Sequence, residues 1–121
     1  MRSKMKIILF GGFAKTFGTV NNIATSVLVT SRKAHLPASG AIGAASGFEY
    51  SLNGGAWTSS SGTWGSTKYA QIRFTSSASY STSLTKNLVV GGVSYPFTII
   101  TQADPGLANT SFPYTFPFIL D

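Results

Sequence analysis

Four side chains supply the conventional titrating chemistry of this sequence near neutrality: Glu49, Asp104, Asp121 and His35. Catalysis needs a poised acid, base or nucleophile. A paired-carboxylate mechanism requires two of the three acids to meet, yet Glu49 falls on an expected strand while Asp104 and Asp121 bound the C-terminal segment. His35 with a serine and Asp104 would make a triad on paper. No Gly-x-Ser-x-Gly elbow is present, however, and serine is too abundant for its presence to mean anything. His35 is expected in a loop or at a strand end. One histidine, no cysteine and dispersed acids cannot close a zinc site, and no Asp-x-Asp loop suggests calcium. The stretch from Gly40 to Gly47 lacks the Gly-Lys-Ser/Thr ending and following helix of a phosphate cradle, and reads as a close-packed connection. The expectation is a non-enzymatic chain with no cofactor.

Binding chemistry is better represented. Trp57, Trp64 and Tyr69, with Tyr80, could stack on sugars, although core or inter-module packing is the commoner use of such rings. Trp64, set in a Ser/Gly-rich stretch, is expected to be the most exposed of them. Arg73 is expected on the polar face of its strand as a solvated or cross-strand charge. Nine Lys and Arg against three acids give a net charge of +6, and Arg2, Lys4, Lys6 and Lys15 fall within the first fifteen positions. That N-terminal segment could face an acidic protein, nucleic acid or anionic lipid. No aromatic separates Arg2, Lys4 and Lys6, Phe10 and Phe13 fall only between Lys6 and Lys15, and no nucleic-acid motif is present elsewhere, which together disfavour reading of bases. Asn109-Thr110-Ser111 fits the glycosylation pattern but is a frequent chance match.

At the other end, Phe112, Tyr114, Phe116, Phe118 and Leu120 alternate with Pro113, Thr115, Pro117 and Ile119. Extended backbone would put these anchors along one side. The 18 residues from Asp104 to Asp121 hold three of the five prolines and cannot form a central strand; fully stretched they reach roughly 60 Å. The arm either folds back on its own domain or docks on a neighbouring copy or another protein.

The elements that must position these residues are strands. Ala70, Ile72 and Phe74 alternate with Gln71, Arg73 and Thr75; Phe48, Tyr50 and Leu52 alternate with Glu49 and Ser51; Val93, Tyr95, Phe97 and Ile99 alternate with Ser94, Pro96, Thr98 and Ile100. Asn53-Gly54-Gly55 and Gly91-Gly92 are tight-turn signals. Pro96 has no N–H for the ladder, so its strand is expected at an edge or bulged there. Ile23–Thr30 reads as one strand, with weaker candidates at Arg32–Leu36 and Ala41–Ile42, while Ser59–Gly65 and Ser76–Ser83 read as loops. About seven short strands at regular spacing predict an all-β, antiparallel β-sandwich.

Length and composition agree. One hundred and twenty-one residues hold one core, 10% charged residues is low for a soluble chain, and the absence of cysteine leaves stability to packing or partners. Ile7–Ala14 is too short, too glycine-interrupted and too soon followed by Lys15 for a secretory signal, and no apolar run is long enough to span a membrane. The expected layout is a basic and apolar N-terminal arm (1–16), a sandwich (17–103) and a Pro/aromatic C-terminal arm (104–121).

From about Phe17 to Thr101 the chain resembles the immunoglobulin-like β-sandwich modules repeated in large bacterial surface proteins and found in phage virion proteins. The matching pieces are Phe48–Thr58, Ser61-Gly62-Thr63, Gln71–Thr82, Leu88–Val93 and Phe97-Thr98-Ile99. Such modules usually carry an Asn-Gly-Asp-like turn ahead of the Arg-bearing strand, where this chain has Trp64–Tyr69, and they usually occur in tandem, where this is a single copy with two arms. The resemblance implies an immunoglobulin-like fold. A lone copy with arms implies a virion structural protein made in the host cytoplasm, a capsid decoration or tail accessory protein that forms oligomers or docks on a major capsid or tail protein. The alternative is a carbohydrate- or host-surface-binding module at a cell surface or secreted. Membrane is not expected as a partner, nucleic acid is disfavoured and glycan remains open.

Overall fold

The computed structural model describes residues 13–65 and 68–105. Eight strands form: β1 (Gly18–Ile23), β2 (Leu28–Thr30), β3 (Gly40–Ile42), β4 (Glu49–Leu52), β5 (Gly62–Trp64), β6 (Ala70–Thr75), β7 (Ser83–Val90) and β8 (Val93–Thr101). The described residues contain no helical element. A five-stranded sheet runs in the order β1-β8-β7-β3-β5 and a three-stranded sheet in the order β2-β6-β4. The all-β, sandwich-like architecture expected from period-two patterning is present. Pairing between these strands is antiparallel except between β1 and β8, which run parallel.

From β2 to β7, each strand lies in the opposite sheet from the one before it. Only the β7–β8 hairpin keeps consecutive strands together. Gly91 and Gly92 both have positive φ, 56° and 85°, and join Val90 to Val93 in the two-residue turn that suits twisted strands. Asn53 and Gly54 do the same after β4, with φ of 53° and 78° and a Gly55 N–H donating to Leu52 O at 2.9 Å. The return strand there is short. Thr58 pairs with Tyr50, one residue out of register with the turn, so Ala56 and Trp57 form a bulge.

The sheets face each other across one apolar core. Tyr50, Ile72 and Phe74 from the smaller sheet meet Ile42, Leu88, Val90, Phe97 and Ile99 from the larger, and the Phe74 and Phe97 rings cross edge-on with centroids 5.5 Å apart. Phe17, Leu36 and Trp64 join it, as do Ala34, Phe48, Ala70 and Tyr95.

Four local expectations change. Ile23–Thr30 is not one strand: the chain leaves β1 at Ile23, turns through Ser26 at φ 54°, and joins the other sheet at Leu28. Buried Ser76 holds that turn, accepting from Val27 N–H at 3.0 Å and donating to Ala24 O at 2.7 Å. Ser59–Gly65 is not all loop, because β5 pairs with β3 through Ala41↔Thr63. Ser51, expected outward, is buried and donates to Gly55 O at 2.8 Å. Finally, β8 lies inside its sheet, between β1 and β7. Pro96 is nevertheless accommodated. Counting from Val90↔Val93, the Asn87↔Pro96 pair is a non-hydrogen-bonded one, so the missing N–H faces the β1 side, where pairing starts only at Phe97.

Candidate interaction surfaces

The two outward faces differ in chemistry. Residues paired directly across strands share a face, so Thr19, Thr98 and Thr85 form a rank across β1, β8 and β7. The Thr85 and Thr98 hydroxyls lie 2.7 Å apart, within hydrogen-bond distance. Alternation extends this outer face through Ser83, Asn87 and Val89 on β7, Ser94, Pro96 and Ile100 on β8, Ala41 on β3 and Thr63 on β5. None of these positions carries a charge. Lys86, the cation of β7, falls on the inward register and reaches to where a side chain on Gly47 would stand.

The face of the smaller sheet is charged and aromatic. Arg73 Nη2 lies 2.7 Å and Nε 2.8 Å from Glu49 Oε1, and the guanidinium stands 4.3 Å above the Trp57 ring, which the bulge turns toward it. Beside the pair is a shallow cleft of about 360 Å³ lined by Leu28, Phe48 and Phe74. Arg73 is thus the cross-strand charge its alternation predicts, sharing a rung with Glu49.

Beyond the end of this sheet, three distant segments lie side by side. Ala34 bridges to Ala14 on one side and Ala70 on the other, and His35 N–H donates to Ala14 O at 2.7 Å. With Ala34 and Ala70 buried, their neighbours turn outward: Phe13 and Tyr69 rings meet with centroids 5.0 Å apart, and Lys33 Nζ sits 4.8 Å from the Tyr69 centroid and 6.0 Å from that of Phe13. Lys15 and Lys68 are exposed next to them in the chain. Arg32 anchors the first segment through Thr16 O and Oγ1, both at 2.9 Å.

The expected site residues fall as follows. Trp64 is 1% exposed, with its indole N–H donating to Leu36 O at 3.1 Å and its ring 6.0 Å from that of His35. The expectation of an exposed loop tryptophan is therefore corrected: pairing with β3 turns it into the core. Trp57 and Tyr69 are partly exposed, each beneath a different cation, and with Trp64 in the core no three-ring platform forms. His35 is half-buried with Nδ1 2.7 Å from Lys68 O, which calls for its proton on Nδ1. Arg2, Lys4, Lys6, Phe112, Tyr114, Phe116, Phe118 and Leu120 lie outside the described residues. Among the described residues, no three His, Cys, Asp or Glu side chains are grouped to hold a metal, and no helix is long and apolar enough to cross a membrane.

Sequence reasoning missed both surfaces. Period two already assigns Thr85, Asn87, Val89, Thr98 and Ile100 to one face, so the uncharged sheet was there to be found. The cation–aromatic ladder leaves no local trace. Compared with protein-family models, characterised proteins and solved structures, the chain matches none.

Proposed function

We propose that this chain is a non-enzymatic structural module of the immunoglobulin-like kind that docks on neighbouring subunits of a virion, as a capsid decoration or tail accessory protein. The observation that carries the docking role is the uncharged outer face of the five-stranded sheet. Interface cores are depleted of charge because desolvating an ion costs several kcal/mol, whereas threonine, serine and asparagine groups can exchange water for a partner. Hydroxyls both donate and accept, so a second copy can satisfy the same face, and no cation on it repels another +6 chain.

Strand order supports the immunoglobulin-like part. In such domains one sheet runs B-E-D and the other G-F-C; β2-β6-β4 and β8-β7-β3 follow that order, with β1 parallel to β8 and β5 added beside β3. The virion setting rests on the resemblance together with the arms expected from the sequence at 1–16 and 104–121. The glycan-binding alternative loses support with Trp64 in the core.

Sedimentation analysis tests the docking role. The full chain is expected to sediment above its 12.7 kDa monomer mass. Thr98→Lys, which places a charge at the centre of the uncharged face, is expected to lower that mass, as is ending the chain at Gln102, while Thr75→Lys on the opposite sheet leaves it unchanged. A full chain that stays monomeric at every concentration, or association indifferent to Thr98→Lys, overturns the role given to this face.

A further inference from the structure

We propose that the ladder of Phe13, Lys33 and Tyr69, flanked by Lys15 and Lys68, is a docking site for a carboxylate-rich segment of a partner protein. This surface is separate from the uncharged sheet face, and the inference stands whether or not copies of the chain associate through that face.

The ladder is assembled by the fold. Its segments come from residues 13–15, 33–35 and 68–70 and are joined through Ala14, Ala34 and Ala70. Burial of Ala34 and Ala70 forces the alternate residues out, and Phe13 is 41% exposed. The Lys33 ammonium is held 4.8 Å from the Tyr69 centroid by the ring quadrupole. A lysine placed in advance loses less rotamer freedom on binding than one waving in solvent. Its complement must come largely from outside, since the whole chain has three acids against nine Lys and Arg, and Glu49 is engaged by Arg73.

Carboxylates fit better than nucleic acid. Single strands bind where open aromatic faces accept bases beside cations. Here Tyr69 has Lys33 over it and Phe13 tilted against it at 59°. A base stacking on the Tyr69 face that Lys33 covers would displace the ammonium that its own phosphate needs. Ammonium N–H donors remain available on Lys15, Lys33 and Lys68, and these suit acidic side chains.

Fluorescence anisotropy of a labelled decaglutamate peptide with the full chain, at low and at 0.15 M salt, tests this against an oligo-dT of the same length. The peptide is expected to bind more tightly than the oligonucleotide, and more weakly as salt rises. Lys33→Gln is expected to weaken it about five-fold, the scale of one partly exposed ion pair. Lys33→Arg should retain binding and Tyr69→Leu should weaken it, because the ring positions the cation. Lys86→Gln removes one charge elsewhere and should leave affinity within about two-fold. Equal losses for Lys33→Gln and Lys86→Gln would reduce the effect to net charge and overturn the proposal. So would tighter, Lys33-dependent binding of oligo-dT, which would make the ladder a nucleic-acid site, or no peptide binding at either salt concentration.

Discussion

Replacing Trp64 with phenylalanine removes one indole from the centre of the fold. The ring is 1% exposed, and its N–H donates to the Leu36 carbonyl inside the core. Phenylalanine keeps an aromatic ring but removes the donor. Stranding a buried acceptor costs about 1–3 kcal/mol. The smaller ring also gives up on the order of 40 Å² of buried apolar surface, about 1 kcal/mol more. The sum, about 2–4 kcal/mol, corresponds to a fall in Tm of roughly 10–30 °C for a domain of this size. Thermal unfolding followed by circular dichroism reads it directly. In a Trp57→Phe background Trp64 is the only indole left, so its emission should be blue-shifted and poorly quenched by acrylamide in the folded state. A loss below about 0.5 kcal/mol, the scale of a surface substitution, or quenching like that of free tryptophan, would refute its place in the core and with it the pairing of β5 to β3.

Two further predictions concern stability. A Cβ on Gly91 would stand 2.4 Å from the Ser39 carbonyl oxygen at φ +56°, with backbone on both sides of the clash, whereas one on Gly92 at φ +85° meets nothing within 4 Å; Gly91→Ala should cost at least about 2 kcal/mol and Gly92→Ala about 1, in denaturant titrations, and the reverse order would refute the close approach of the β7–β8 turn to β3. Burial raises the pKa of Tyr50 above its ordinary value of 10.0, and its hydroxyl donates to Ser60 O at 2.6 Å. The folded state therefore keeps a proton that the unfolded chain releases: stability is full below about pH 10 and falls as pH rises past it. Tyr50→Phe should be less stable at neutral pH but show a shallower decline between pH 9 and 11 in the urea midpoint; an unchanged slope would refute the assignment.

Much of the strand inventory was legible. Ala70/Ile72/Phe74 and Tyr95/Phe97/Ile99 point inward because side chains alternate on any strand, and Asn53-Gly54 and Gly91-Gly92 turn where they do because few residues tolerate positive φ twice in succession. These are properties of a residue and its near neighbours. They suffice for an all-β chain, its two tight turns and much of its core.

Which sheet each strand joins was decided by partners far along the chain. Nothing within Ile23–Thr30 announces the crossing between sheets; the turn is held by Ser76, 49 residues from Val27. Trp64 sits among Ser and Gly, whose local preference is for loop, and only its pairing to β3 and the carbonyl of Leu36 draw it inward. Phe13, Lys33 and Tyr69 are likewise strangers in sequence, brought into one ladder by backbone pairing through Ala34. Alternation and turn chemistry are local and can be read from a string of residues. Sheet membership, burial of a lone tryptophan and the meeting of cation with ring depend on long-range pairing, and only the tertiary structure decided them.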